Sequence, residues 1–296
     1  MSNLLVTREW YENNKDVVQM KESTIYPGLF VLKYKKKVFY DNLWTPELEQ
    51  CRGLIIDRDF NVVARPFDKV FNYGENGATF DRDAPVVIAR KVNGFLGCAT
   101  NTQKYGTIFS TTGSLDSDCV ELVRKHLGGK VEDLVDGVTW CFEICDESDP
   151  HIIKEDFGAY LIGAVSLHDG HHFQEQFLDG IAQLYKSKRY ESESCLRFSD
   201  AVKRVKTVQH EGFVVRLESD EQQTLKIKSP YYLITKFFAR KSEEKLQHIL
   251  SDPQQAKKTL DEEYYPLVDY LSEHKQEFVA LDEQRRVKFV REFLNG

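Results

Sequence analysis

Between residues 28 and 42 apolar side chains recur at alternate positions, at Phe30, Leu32, Tyr34, Val38 and Tyr40, and this two-residue period predicts strands. Residues 51–57 and 60–66 predict two further strands joined by a tight turn. The apolar runs 85–89 and 158–165 read as buried strands, and 107–111 and 138–144 add β-branched and aromatic ones. Residues 211–217 and 223–228 predict another strand pair, linked by a polar turn at 218–222. A helical period predicts helices over 7–13, 117–126 (capped by Asp116 or Ser117), 177–186 and 198–205. Past Tyr231 the pattern changes. Leu246, Ile249 and Leu250 share one helical face, as do Leu267, Tyr270 and Leu271, and Phe289, Val290 and Phe293. The expectation is an α+β unit of antiparallel sheets with flanking helices over 1–238. A small all-α unit of three or four helices follows over 239–296.

Composition changes this picture little. The 41% hydrophobic and 29% charged content is that of a globular protein. No apolar run approaches the length needed to span a bilayer, and the first residues carry no signal-peptide core, so no membrane partner is expected. Six cysteines without a Cys-x-x-Cys pair suggest a reduced, cytoplasmic protein.

Charge matters more through its distribution than its sum. The net charge is −7, yet residues 116–156 hold twelve acidic and four basic side chains, leaving the remainder near +1. A near-neutral body can carry a local basic groove for phosphates. Lys33, Lys35, Lys36 and Lys37 read as a solvated turn or edge, with an RNA-backbone contact as the other reading.

The candidate chemistry centres on Lys91. It follows the apolar run 85–89 and precedes the turn signal Asn93-Gly94. Burial and neighbouring cations would both lower the pKa of such a lysine and expose an amine nucleophile. A second Lys-x-x-Gly, Lys125 to Gly128, is read as ordinary cap chemistry at a helix end. Glu143 lies inside a strand, where it either faces solvent or has a purpose. Glu211-Gly212 opens the next strand pair, and Lys226 and Lys228 fall on one face of its second strand. An anion between those two lysines would relieve their repulsion. Two carboxylates can hold a divalent metal and a ribose hydroxyl. Together these residues fit a lysine attacking a nucleotide α-phosphate.

The ordered set Lys91-x-x-Gly94, Glu143, Glu211-Gly212 and Lys226-x-Lys228 resembles the covalent nucleotidyltransferase superfamily, whose catalytic unit is an ATP-grasp-like ligase domain. Within it the chain is similar to the bacteriophage RNA ligase 1 family and the ligase domain of fungal tRNA ligases. Cys51-Arg52-Gly53 and the run from Arg65 to Phe71 resemble the N-terminal elements of RNA ligase 1. The resemblance implies that Lys91 forms a lysyl-AMP adduct, with Gly94 completing its motif. It assigns Glu143 to the AMP ribose, and Glu211, with Gly212 beside it, to the metal and nucleotide. Glu143 and Glu211 are the implied metal residues. Lys226 and Lys228 would contact the α-phosphate and assist Lys91. Arg52 and Lys69 would hold the β- and γ-phosphates, with Phe71 nearby, and Tyr160 is a stacking candidate for adenine. Asn93 stands where most superfamily members have Asp, and is shared with the fungal enzymes. Thr112 stands where RNA ligase 1 has a lysine before its Gly-Ser.

The implied activity is ATP-dependent joining of RNA 5′-phosphate and 3′-hydroxyl ends with Mg²⁺ or Mn²⁺, in RNA or tRNA repair. Nicked tRNA is the implied substrate type, with ends healed by separate enzymes. The rivals are a DNA ligase or mRNA capping enzyme, which carry a β-rich domain after the last lysine motif, and an inactive RNA-binding relative.

Overall fold

A computed structural model describes residues 4–131, 133–239 and 243–295. Three four-stranded antiparallel sheets form its frame. Helix α1 (Arg8–Asn13), capped by the Thr7 hydroxyl, precedes β1 (Val18–Glu22) and β2 (Leu29–Tyr34). A single turn, α2 (Lys37–Tyr40), and α3 (Pro46–Gln50) lead to β3 (Arg52–Asp57) and β4 (Val62–Ala64). These strands make the first sheet, in the order β1-β2-β3-β4. Val38 and Tyr40 therefore lie in a helical turn rather than a strand. Val38 is buried, while Phe39 packs edge-on against Tyr34 and Trp44, so tertiary packing overrides the local alternation.

Strand β5 (Pro85–Arg90) belongs to the second sheet. The chain crosses at Lys91–Gly94 into β6 (Phe95–Thr102) of the third sheet, which continues through β7 (Gly106–Thr111). Helix α4 (Asp118–Leu127), β8 (Val138–Cys145), β9 (Gly158–Ser166) and α5 (Glu175–Tyr185) follow. The third sheet has the order β7-β6-β8-β9. Val120, Val123 and Leu127 of α4 and Leu178 and Ala182 of α5 pack on Trp140 and Phe142 of that sheet. Asp116 is not the cap of α4. Its carboxylate accepts instead from Ser23 Oγ at 2.6 Å and the Thr24 backbone N–H at 3.0 Å, tying this sheet to the first.

The chain then returns to the second sheet with β10 (Ser192–Arg197), α6 (Phe198–Arg204), β11 (Gly212–Leu217) and β12 (Asp220–Lys228), in the order β10-β5-β11-β12. Strands β1, β6 and β10 lie outside the sequence expectation. β1 and β10 are short and polar, and only pairing with β2 and β5 makes them strands, while β6 is made a strand by pairing with β7 and β8. The turn before β12 is also tighter than expected, because pairing extends to Leu217↔Asp220.

Helices α7 (Pro230–Ala239), α8 (Glu243–Ser251), α9 (Pro253–Lys257), α10 (Tyr265–Glu273), α11 (Lys275–Ala280) and α12 (Glu283–Asn295) complete the fold. Among the described residues five helices, α8 to α12, follow α7 where three or four were expected over 239–296, since Pro253, His274 and Leu281 break longer runs. Their core includes Ile234 and Phe237 of α7, Leu267 and Leu271 of α10, and Val290 of α12. Among the described residues no strand follows Lys228, which is unlike the β-rich C-terminal domain of the DNA ligase and capping rivals. No helix among them is long and apolar enough to cross a membrane.

Candidate active site

Strand register assembles the site. In the second sheet Val214 lies opposite both Ala89 and Lys226, and Gly212 lies opposite Lys228. Just past the end of β5, the Lys91 backbone N–H donates to the Gly212 carbonyl at 2.9 Å. In the third sheet Leu96 pairs with Glu143, and the Gly94 N–H donates to Glu143 Oε1 at 3.1 Å. Lys91 thus sits on the seam between two sheets, with one carboxylate arriving from each. Two glycines make the seam possible. A Cβ at Gly94 would collide with the Ile144 carbonyl, and one at Gly212, whose φ is +135°, with the Ile227 carbonyl.

The Lys91 ammonium lies 3.1 Å from Glu211 Oε2 and 3.8 Å from Glu143 Oε1. Glu211 Oε2 also accepts from Asn93 Nδ2 at 2.7 Å, and its Oε1 is 3.7 Å from Lys228 Nζ. Asn93 Oδ1 in turn accepts from the Ile153 N–H at 2.9 Å. An aspartate at position 93 has no donor for Glu211, so the asparagine suits this carboxylate-rich setting.

The expected depressed pKa of Lys91 is not found. Burial pushes it down, but Glu211 and Glu143 outweigh that and hold it above the ordinary lysine value. The depressed amine is its neighbour. Burial, reinforced by Lys228, Lys69, Arg52 and Lys91, brings Lys226 down to about 7. Burial works to raise the Glu211 carboxyl, yet Lys91 and Lys228 keep it below its usual value. Glu143 is raised by burial and by Glu211, against the pull of Lys91.

Beside this cluster a cavity of about 150 Å³ is lined on its polar side by Arg52, Lys91, Glu143 and Lys226. Val92, Leu96, Ile162 and Val214 form its apolar walls. Tyr160 is buried behind the wall, packed with Val92, and its hydroxyl donates to the Asp156 carbonyl at 3.0 Å. The rings in the lining are those of Phe67, His172 and Tyr190, and the Tyr190 hydroxyl donates to Glu175 Oε1 at 2.7 Å. Glu175 also pairs with Arg216, another lining residue. His172 closes the cavity with its ring 5.3 Å from that of Phe67, and burial, Arg216 and Arg65 bring its pKa down to about 4. Tyr190 and Arg216 escaped the sequence reading, and His172 reads in the sequence only as part of a polar hairpin tip, with His168 and His171. Only Arg216 had a signal there, since it shares strand parity with Gly212 and Val214.

Arg52 Nη1 donates to the Phe67 carbonyl at 3.4 Å at the cavity edge. Lys69 and Phe71 lie one step away, lining a larger cleft of about 560 Å³ that shares Val70, His172 and Thr224 with the first. The Lys69 ammonium sits 4.8, 4.9 and 5.1 Å from the rings of Phe39, Trp44 and Phe71. It is paired with Glu75 at 2.9 Å and Glu262 at 2.7 Å. Near Thr112, Lys33 approaches the chain: a Cβ at Gly113 would lie 2.9 Å from Lys33 Nζ.

The geometry has relatives. The overall structure is similar to an archaeal ATP-dependent RNA ligase (form 2), at 14% identity over 98% of this chain and 77% of that one, with a TM-score of 0.63. It is similar to form 1 of an archaeal ATP-dependent RNA ligase, at 14% identity over 91% of this chain and 76% of that one, with a TM-score of 0.54. A putative ATP-dependent DNA ligase from Aquifex aeolicus aligns at 16% identity over 96% of this chain and 77% of that one, with a TM-score of 0.55. At such identities these likenesses carry the fold alone. No match is found among curated proteins. The model of the family described as RNA ligase (RNA_lig_T4_1) matches residues 50–232, more than half of the chain and every motif from Arg52 to Lys228. This protein belongs to the RNA ligase family, on the nucleotidyltransferase fold.

Proposed function

We propose that this protein is an ATP-dependent RNA ligase working through lysyl-AMP and RNA-adenylate intermediates. The observation that carries the reading is Lys91, held between Glu143 and Glu211 at the mouth of a cavity that also presents Lys226 and Arg52. In the first step Lys91 Nζ, having lost its proton, forms a bond to the ATP α-phosphorus. The bond from that phosphorus to the bridging oxygen breaks, and pyrophosphate leaves. The 5′-phosphate of an RNA then attacks the same phosphorus, forming a phosphoanhydride and returning the Lys91 amine. Finally a 3′-hydroxyl attacks the activated 5′-phosphate, gives up its proton and expels AMP.

Lys226 and Lys228 stabilise the negative charge that gathers on the phosphoryl oxygens. Glu143 holds the ribose. Arg52 and Lys69 steady the β- and γ-phosphates, with Phe71 walling Lys69. Adenine lies between Val92 and Ile162 on one side and Val214 on the other, with Tyr160 supporting the wall from behind.

The residues fit a divalent cation such as Mg²⁺ or Mn²⁺. Mg²⁺ binds through one or two carboxylates completed by substrate phosphates, and Glu211 and Glu143 are two carboxylates converging on one point. When bound, that ion would neutralise phosphate charge and draw the carboxylates away from the Lys91 ammonium.

The RNA ends joined are a 5′-phosphate and a 3′-hydroxyl, as in a broken tRNA, prepared by separate enzymes in the cytoplasm. Incubating the protein with ATP, Mg²⁺ and a labelled single-stranded RNA bearing both ends tests this reading. Ligated circles and an RNA-adenylate band are expected. Joining of nicked DNA alone would favour the DNA ligase reading.

A further inference from the structure

Two lysines that the ligase reading assigns to phosphates, Lys69 and Lys228, hold Glu75 and Glu211 of the catalytic unit, and each holds a second anion from the turn between two C-terminal helices. The turn between α9 and α10 presents Glu262 and Glu263 side by side. Glu262 Oε1 lies 2.7 Å from Lys69 Nζ. Glu263 pairs with Lys228 and, at 3.0 Å, with Lys236 of α7. Lys236 is also 2.6 Å from Asp261 Oδ2. Lys69 and Glu263 are the buried members, with side chains 4% and 7% exposed, while Glu262 is 23% exposed.

We infer that Lys69, Lys228 and Lys236 form one polyphosphate cradle, and that Glu262 and Glu263 are its resident anions, displaced when a triphosphate enters. Buried ammonium groups without an anion are strongly unfavourable, so the cradle holds carboxylates when free and phosphates when loaded. Two adjacent carboxylates bridging Lys69 and Lys228 copy the charge of neighbouring phosphates. A cleft of about 540 Å³, lined by Lys226, Lys228, Glu262 and Glu263, gives a polyphosphate room to approach.

The anchor of the turn is separate from its charges. Tyr264 is buried in the helical core, and its hydroxyl donates to the Leu233 carbonyl at 3.0 Å. The carboxylates can therefore give way without the helical core coming apart. Burial works to raise Glu263, yet Lys228 and Lys236 hold its carboxyl well below the usual range, which marks a strong anion site. Lys236 thereby joins the phosphate-binding set, and nucleotide occupancy is coupled to the contact between the helices and the catalytic sheets. Naming the occupant as the triphosphate of ATP rests on the ligase reading.

The test uses the full-length protein, inorganic tripolyphosphate and AMP, with binding followed by calorimetry. Replacing both carboxylates (Glu262→Gln with Glu263→Gln) is expected to tighten tripolyphosphate binding about tenfold while AMP changes by less than about twofold. Lys236→Ala is expected to weaken tripolyphosphate binding by about tenfold. In the wild-type protein, amides of residues 258–265 are expected to exchange faster with tripolyphosphate bound. This last arm needs no substitution and stands even where a variant folds poorly. Unchanged exchange together with unchanged tripolyphosphate affinity in the double variant overturns the inference, as does equal tightening for AMP. Tripolyphosphate needs no adenylyl transfer, so absence of a Lys91 adduct would remove the ligase reading without deciding this comparison.

Discussion

Lys91 Nζ lies 3.1 Å from Glu211 Oε2, so its amine is a paired ammonium in the free protein rather than a bare nucleophile. The same oxygen is held from the other side by Asn93 Nδ2 at 2.7 Å. The site is therefore preorganised but held in check, and on the proposed mechanism Glu211 and Glu143 must be given another cation to bind before Lys91 reacts.

Removing one carboxylate should be felt as a metal defect. Glu143→Gln and Glu211→Gln are each expected to raise the Mg²⁺ concentration for half-maximal adenylylation by about 10- to 100-fold, the usual cost of disturbing a metal shell. Titration of adduct yield against Mg²⁺ measures this. Chelating the metal is expected to abolish the adduct, and full activity in its absence would contradict the assignment.

The amide at position 93 should not tolerate a carboxylate. Asn93→Asp removes the donor to Glu211 and sets like charges against each other in a buried place, at a cost of about 1–3 kcal/mol. A loss of adduct rate of about tenfold or more is expected. An Asp variant as fast as wild type would mean that this hydrogen bond does not position Glu211.

Lys226 should make phosphate binding pH-dependent. Its pKa in the folded protein is about 7, against an ordinary 10.5. An anion settling beside it raises that value, so binding takes up a proton, and affinity for tripolyphosphate should fall as the pH rises from about 7 to 9. For the free protein the sign is opposite. The unfolded chain binds the extra proton between about 7 and 10.5, so the cost of this group to the folded state shrinks as pH rises through that window. Calorimetry in two buffers of different ionisation enthalpy reads the proton uptake directly. Proton release would contradict it.

Gly94 and Gly212 should be irreplaceable for steric reasons. A methyl group at either strikes a backbone carbonyl of a neighbouring strand, and Gly212 adds a left-handed φ. Gly94→Ala and Gly212→Ala are each expected to cost about 1–3 kcal/mol or more, seen as a lowered melting temperature. An unchanged melting temperature would show that the seam is looser than these contacts require.

The residue types of the site were legible in the sequence, but their partners were not. Strand parity alone placed Lys226 and Lys228 on one face, and the short Asn93-Gly94 turn placed Lys91 at a strand end. The sign of the Lys91 pKa shift depended on carboxylates arriving from positions 143 and 211, through a register that no local pattern encodes. Tyr190 and His172 enter the cavity from a loop and a hairpin tip, so periodicity says nothing about them. Glu262 and Glu263 sit in a charged, helix-rich tail where they look like solvated surface, and only tertiary packing puts them on Lys69 and Lys228. In the fold, long alternating or helical runs survived. Short polar strands such as 18–22 and 192–197, and the helical turn at 37–40, are decided by what they pack against.

The central claim is that one amine bonds to phosphorus. Incubation with α-labelled ATP and Mg²⁺, followed by denaturing electrophoresis, measures it most directly. The account expects a labelled protein band that is labile in acid, released by pyrophosphate, and lost in Lys91→Ala and Lys91→Arg. No band in the wild type, or a band that survives either substitution, would contradict it.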